Sequence, residues 1–171
     1  MANISGMPFA PLTGTAQKRA PLPQSLALQR GFAMAAGIIE TLLSVGKALF
    51  GLRDSLSGAR KARKEKVAEF LGGIALTIET TSGALKQGIY PHGTCQELLS
   101  HSDHLVKAIG DLIGEKEATD LAGQLKEVWE IEQLYGQLQS ATAPQKIRRL
   151  ETLDQAAGLF RATAAFVRVS P

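Results

Sequence analysis

Cysteine and aromatic residues are scarce in this chain. Cys95 is the single cysteine, and aromatic residues make up 5% of the sequence. One cysteine excludes an intrachain disulfide framework and fits a reducing compartment. The common residues are Ala, Leu, Gly, Glu, Gln and Lys, which together favour helix over strand. The composition therefore predicts an all-α protein, and 171 residues are enough for one domain with a real core.

Acidic residues are scarce in the first part of the chain. Residues 1–66 contain ten Lys or Arg and three Asp or Glu, whereas residues 67–171 contain nine and thirteen. The net charge of +3 therefore hides a basic first part and an acidic remainder. This segregation favours an anionic partner such as lipid headgroups, nucleic acid or an acidic protein face. The alternative is a solvated junction between helices.

Residues 1–24 lack acidic residues altogether and hold four of the seven prolines, Pro8, Pro11, Pro21 and Pro23. Proline prevents helix, and no strand-like alternation is present, so this range predicts a flexible or extended arm. We expect residues 25–171 to form an up-and-down bundle of four or five helices joined by short turns.

The first predicted helix covers residues 25–58. Its polar residues recur every three or four positions along one narrow stripe, and the rest of its circumference is apolar. A helix with this pattern is either nearly surrounded by protein or partly immersed in lipid. The stripe consists of Glu40, Ser44, Lys47, Gly51, Asp54 and Gly58.

A long uninterrupted apolar run is also missing. Residues 31–52 have the length of a membrane span, about 20 residues, but they include Glu40 and Lys47. Each charge at the centre of an isolated span costs about 2.5–3.5 kcal/mol, which disfavours a single transmembrane helix. Several copies that turn their polar stripes toward a shared lumen would avoid most of this cost. The other interpretation is a helix buried in a bundle.

A basic run, residues 60–66 (RKARKEK), follows this helix directly. Near an anionic leaflet each basic residue contributes about 1 kcal/mol. The run has no interleaved aromatic residue for base stacking, so nucleic acid is the least favoured partner. The residues predicted to bind a membrane or a protein partner are Ile39, Leu42, Leu43, Leu49, Phe50, Arg60, Lys61, Arg63, Lys64 and Lys66.

The remaining chain predicts core helices over 67–171, behind a basic junction at 59–66. Apolar residues recur there at alternating three- and four-residue steps, as expected for helices that pack on one face. Thr94 and Glu97 have the spacing of a capping box, and Thr142 is a further N-cap. The predicted helices cover 59–87, 94–114, 115–138 and 142–167.

One group of side chains has the character of a metal site. Glu97, His101 and His104 lie at positions i, i+4 and i+7 of a helix, hence on one face, and carboxylate and imidazole bind Zn²⁺. Their spacing matches neither HExxH nor the Glu-x-x-His pair of di-iron bundles, and we favour a polar flank beside the buried seam over a metal site. Phosphate-binding glycine loops and nucleophile elbows are missing. We therefore predict no metal, no cofactor and no enzymatic reaction.

Four segments between Ala59 and Leu138 carry a resemblance to a known group of proteins: KVAEFLGGIALTI, GIYPHGTCQELLSHSDHL, IGDLIGEKEATDLAGQL and EVWEIEQLY. The sharpest parts are Pro91-His92-Gly93, Cys95 and Ile109-Gly110-Asp111. These segments resemble small helical proteins common in cyanobacteria, a group without an established activity. The resemblance implies a helical fold and a lineage, but no mechanism.

Three functional hypotheses follow. The first is a non-enzymatic interaction module, an adaptor or membrane-associating effector, whose first helix and basic run bind a protein, a second copy or an anionic membrane surface. The second is a soluble scaffold or assembly subunit with the first helix wholly buried. The third is a metal-binding enzyme or sensor that uses Glu97, His101 and His104. We expect a cytoplasmic location, with peripheral attachment to the inner face of a membrane under the first hypothesis.

Overall fold

The computed structural model describes the backbone of residues 24–126 and 131–170, and the side chains of residues 37–126 and 134–170. Within these ranges every regular element is a helix, which confirms the predicted all-α class. The predicted arm lies outside the described residues, apart from Gln24 at the start of the first helix. The helices are α1 (Gln24–Gly51), α2 (Arg53–Ser57), α3 (Lys61–Lys86), α4 (His92–Ile113), α5 (Glu115–Lys126), α6 (Ile131–Ser140) and α7 (Ala143–Val169).

Helices α1 and α2 together occupy the range predicted as one helix. Leu52 separates them, with φ of −90° and ψ of 5°. Its amide nevertheless donates to the carbonyl of Ala48 at 3.0 Å, and its carbonyl accepts from the amide of Leu56 at 3.1 Å. Helical hydrogen bonding therefore continues across the interruption.

The polar stripe of the first predicted helix faces outward. All its members from Glu40 to Gly58 are exposed, as the periodicity predicts. Three- and four-residue steps keep the apolar residues off the stripe, so they fall on the packed sides of the helix. The buried apolar residues of α1 and α2 are Ile38, Ile39, Leu42, Val45, Leu49 and Leu56.

Helix α3 buries its predicted seam and ends in a glycine motif. Gly88 has a φ of +73°, and the amides of Gly88 and Ile89 donate to the carbonyls of Leu85 at 3.2 Å and Ala84 at 2.8 Å. These are the two bonds of the Schellman motif, in which glycine adopts the left-handed conformation without steric cost. The seam residues, each at most 1% exposed, are Val67, Leu71, Ile74, Ile78, Thr81 and Leu85.

Helix α4 begins at His92, before its predicted start at Thr94, and the predicted capping box is wrong. The hydroxyl of Thr94 donates to the carbonyl of Pro91 at 3.1 Å. Glu97 Oε2 accepts a hydrogen bond from Thr77 Oγ1 of α3 at 3.2 Å. Because Thr94 already lies inside the helix, its hydroxyl bonds backward to a carbonyl. The tertiary contact with α3 occupies the carboxylate of Glu97.

The range predicted as one helix over 115–138 is represented by α5 and α6, and residues 127–130 between them lie outside the described part. Gly114, with φ of +98°, separates α4 from α5. Lys126 near the end of α5 pairs with Asp103 of α4 at 3.4 Å, so α5 folds back along α4. Tyr135 of α6 donates its hydroxyl to the carbonyl of Gly88 at 2.7 Å, which ties α6 to the turn between α3 and α4.

Helix α7 contacts α1, α2 and α3. Its start is confirmed as predicted, since the amide of Thr142 donates to Gln145 Oε1 at 3.1 Å within a capping box. Its predicted seam is buried: Leu150, Leu153, Ala157, Phe160, Ala164 and Val167. These residues belong to one hydrophobic core, to which helices α1 to α6 also contribute.

The contacts of α7 show in which direction its neighbouring helices run relative to it. Lys64 at the start of α3 bonds to Ser170 after the end of α7, at 3.1 Å. Lys86 at the end of α3 pairs with Asp154 in the first half of α7, at 2.7 Å. Helices α3 and α7 are therefore antiparallel. Ile39 of α1 lines a pocket with Arg148 and Thr152 of α7, and Gly46, one to two turns later in α1, faces Leu159 of α7. The contacts advance in the same direction along both helices, so α1 and α7 are parallel.

Candidate interaction surface

The apolar residues of α1 that the sequence assigns to a membrane or partner lie on the inside of the chain. Ile39, Leu42 and Leu49 are at most 3% exposed. Leu43 is half-buried against the same core, and Phe50 is half-buried under Arg53. Apolar area is removed from water as effectively by the other helices of the chain as by an outside surface. Ile39, Leu42 and Leu49 would reach a partner only if α1 left the core.

The contact between α1 and α7 is close at Gly46. A Cβ atom at this position would lie 3.2 Å from Leu159 Cβ and 3.4 Å from the ring of Phe160. The absence of a side chain therefore lets the two helices approach each other here. Gly37, where an added Cβ would meet nothing within 4 Å, has no such role.

Arg53 was missed by the sequence analysis, and it connects α2 with α1 and α7. Its Nη1 donates to the carbonyl of Phe50 at 3.0 Å. Its guanidinium lies 4.6 Å from the ring centre of Phe50 and 5.4 Å from that of Phe166, within the range of cation–π contacts. The three-residue spacing from Phe50 is a sequence signal for the first contact, whereas the second is set by tertiary packing.

Arg63 belongs to the basic run but is used within the chain. Its Nη2 and Nε donate to the carboxylate of Asp111 at 2.6 and 3.3 Å, and Nη2 also donates to the carbonyl of Lys107 at 3.3 Å. This hydrogen bonding from Arg63 holds the pKa of Asp111 below its usual value. The two-pronged contact joins the start of α3 to the end of α4.

Lys64 is the second basic residue with an internal role. It is 8% exposed, and its Nζ donates to the carbonyl of Ser170 at 3.1 Å. A buried ammonium group requires hydrogen-bond partners, because its removal from water is costly. Lys64 therefore joins the start of α3 to the end of α7.

The other cations of the run are exposed. Arg60 has an extended backbone just before α3, and Lys61 and Lys66 lie on the outer sides of its first turns. Within the part of the chain that the structure describes, none of these three forms an ion pair with a carboxylate. They are accessible to an external anion.

A surface groove of about 470 Å³ lies next to Arg63. The groove contains two cations and two carboxylates, so their charges balance. Arg63 and Asp111 form an ion pair. The groove therefore has no excess charge that would select an ionic ligand, and we assign it none. Its lining residues are Arg63, Val106, Lys107, Gly110, Asp111 and Glu115.

Two of the three metal-site candidates of α4, Glu97 and His101, share one hydroxyl of α3, whereas His104 bonds within α4. Glu97 Oε2 and His101 Nε2 lie 3.2 and 3.4 Å from Thr77 Oγ1 of α3. His104 is exposed, and its Nδ1 lies 2.7 Å from the carbonyl of Ser100, to which it donates because a carbonyl only accepts. Over the described residues, no group of three or more His, Cys, Asp or Glu side chains is arranged to hold a metal ion.

His101 is the polar centre of the contact between α3 and α4. Its ring stands edge-on to Phe70 at a centroid distance of 5.6 Å, and a Cβ at Gly73 would lie 3.3 Å from its Cε1. Burial lowers the pKa of His101 below its usual value; Glu97 opposes this effect, and His104 adds to it. The arrangement is that of a polar flank beside the buried seam, one of the two interpretations that the sequence allows.

In the described part of the chain, we find no helix that combines the length and the apolar character needed to span a bilayer. No protein-family model matches the chain, and neither the curated proteins nor the solved structures contain a significant match. The resemblance to cyanobacterial helical proteins stays a prediction.

Proposed function

We propose that the protein is a non-enzymatic helical interaction module whose contact surface is the exposed part of the basic run. In this proposal α1 and α2 form part of an up-and-down bundle that holds the surface in place. One observation supports the proposal: some cations of the basic run bind within the chain, and the others are exposed. Arg63 and Lys64 are bound within the chain, whereas Arg60, Lys61 and Lys66 have no carboxylate partner among the described residues.

Burial of α1 supports its place in the scaffold. Each fully buried Leu or Ile side chain contributes about 1.5–3 kcal/mol relative to an exposed one. Release of Ile39, Leu42 and Leu49 from the core would therefore cost several kcal/mol. The free energy of unfolding of a typical domain is about 5–15 kcal/mol, so this cost is a large part of it. A contact through the exposed cations has no such cost.

The proposal is tested with three anionic probes: vesicles that contain phosphatidylserine, poly-glutamate and single-stranded DNA. The test variant carries Arg60→Gln, Lys61→Gln and Lys66→Gln. We expect the wild-type chain to bind at least one probe and the variant to bind it more weakly, because the removed charges are the accessible ones. Failure of the wild-type chain to bind any of the three would contradict the proposal.

A matched control removes three exposed charges elsewhere, through Lys47→Gln, Lys116→Gln and Arg148→Gln. Both variants have the same net charge, so a purely nonspecific attraction would weaken equally in the two. We expect the control to keep wild-type binding. Equal loss in both variants would show that total charge, rather than this surface, determines binding.

The assignment of α1 to the scaffold has its own test. In the double variant Gly46→Cys and Leu159→Cys, the Cβ atoms would be about 3.2 Å apart, a small shift below the usual disulfide range of about 3.5–4.5 Å. Oxidation would therefore link α1 to α7. We expect oxidised and reduced protein to bind the chosen probe equally. Binding only in the reduced form would show that α1 must leave the core to act.

A second candidate function is an assembly subunit of identical chains. Leu76 of α3 and Ile147 of α7 are 61% and 56% exposed, and an interface between identical chains would remove their apolar area from water. Light scattering of the wild-type chain should then show a defined oligomer that Leu76→Gln weakens. A monomer at all concentrations would exclude this function.

A further inference from the structure

The corner where α3 begins and α7 ends combines cations with an exposed apolar side chain. The bond between Lys64 and Ser170 places the end of α7 beside the first turn of α3. Arg168 and Val169, the two residues before Ser170, are both exposed. Val169 is 78% exposed, the highest value among the large apolar side chains of the described residues.

Cations around an apolar group are the features by which a protein binds the surface of an anionic bilayer. The cations attract phosphate and carboxylate groups of the lipids, and the apolar group enters the boundary between headgroups and acyl chains. A poly-acidic peptide would use the cations but leave Val169 in water. A bilayer uses both features of this corner.

Nucleic acid fits the corner less well. Non-specific binding of single strands depends on aromatic side chains on which bases stack. The aromatic residues described near this end, Phe50 and Phe166, are half-buried, and Arg53 covers both rings. Neither ring therefore provides an open surface on which a base could stack beside the cations.

We propose that this corner, formed by Arg60, Lys61, Arg168 and Val169, docks on the surface of an anionic lipid bilayer. The inference rests on the proposed function, because it names the partner of the same cationic surface. The carboxylates at the junction of α4 and α5, including Glu115, would be repelled by anionic lipids. The protein therefore docks by this corner rather than by the whole end of the helix bundle.

The test measures sedimentation of the full-length chain with phosphatidylcholine vesicles, with and without phosphatidylserine. We expect binding only when phosphatidylserine is present. A cation near an anionic leaflet is worth about fivefold in partitioning, so the combined change Arg60→Gln, Lys61→Gln and Arg168→Gln should weaken binding roughly hundredfold. Equal binding to both vesicle types, or no binding to either, would overturn the inference.

Val169→Gln separates a bilayer from other anions. We expect it to weaken vesicle binding several-fold and to leave any binding of poly-glutamate unchanged, while the exposed control Leu76→Gln changes neither. An unaffected vesicle affinity in Val169→Gln would overturn the proposed contact. If poly-glutamate or DNA binds through the cations but vesicles do not, the proposed function stands and this inference fails; if no anion binds, both fail.

Discussion

Helix α1 and the basic run are neighbours in the sequence, yet they are used in opposite ways. The apolar side of α1 is enclosed by its own chain, whereas three of the five cations in the run face outward. The difference follows from the physics of the two groups. Apolar area is stabilised against any surface that excludes water, whereas an exposed cation is stabilised by water and needs a partner only when it is buried. The exposed cations can therefore meet an external anion without any loss of packing.

The largest effect is expected where α1 is most deeply enclosed. Leu42 has no exposed surface, so Leu42→Ala should lower the free energy of unfolding by about 2–5 kcal/mol, through lost burial and the cavity left behind. Denaturant unfolding followed by circular dichroism measures this change. Ser44→Ala on the exposed polar stripe is the control and should stay within about 0.5 kcal/mol. Equal, small effects would break the comparison by showing that α1 is not part of the core.

The close approach of α1 to α7 predicts the next effect. Gly46→Leu should lower the free energy of unfolding by about 1–3 kcal/mol, because the new side chain collides with Leu159 and Phe160. Gly37→Leu introduces the same side chain into α1 where nothing lies within 4 Å of the added Cβ. Thermal unfolding of the two variants should therefore differ clearly. A tolerated leucine at Gly46 would contradict this packing.

A further comparison lies within the basic run itself. Lys64→Met leaves the carbonyl of Ser170 without this donor, and we expect a loss of about 1–2 kcal/mol in the free energy of unfolding. Lys61→Met, three residues earlier and exposed, should change it by less than about 0.5 kcal/mol. Anion binding should show the reverse order, with the larger loss in Lys61→Met. The same order in both measurements would remove the distinction between internal and external cations.

The smallest effect is a pH dependence at the contact of α3 with α4, away from both regions. Because burial lowers the pKa of His101 in the folded chain, the unfolded chain binds its proton more readily. The stability that neutral His101 provides is complete above its usual pKa of 6.5 and is lost as the pH falls below that value. Unfolding measured at neutral and mildly acidic pH should show this loss in the wild type and less of it in His101→Gln. An identical pH profile in both proteins would exclude His101 as the cause.

Periodicity predicted most of the fold because it depends on local geometry. The seam of α3 from Val67 to Leu85 and the polar stripe from Glu40 to Gly58 are both observed as expected. Apolar residues three or four positions apart lie on one face of a helix, whatever neighbour covers that face. The pattern does not state what that neighbour is, and for this reason lipid and protein remained alternatives for α1.

Features that depend on distant partners were not predictable in this way. The capping signal at Thr142 was confirmed, but the similar signal at Thr94 was wrong, since Glu97 is held by Thr77 of another helix. A cap contributes about 1 kcal/mol, which a tertiary contact can exceed. The division of the basic run likewise depends on Asp111 and Ser170, residues far along the chain.

The buried thiol of Cys95 makes the molecule convenient for spectroscopic labelling. Cys95 is 2% exposed, and its sulfur donates to the carbonyl of Pro91 at 3.2 Å in the first turn of α4. Alkylating reagents reach such a sulfur only when that turn opens, so the modification rate reports the frequency of opening. Introduced surface cysteines should consequently take up a fluorophore faster than the native one.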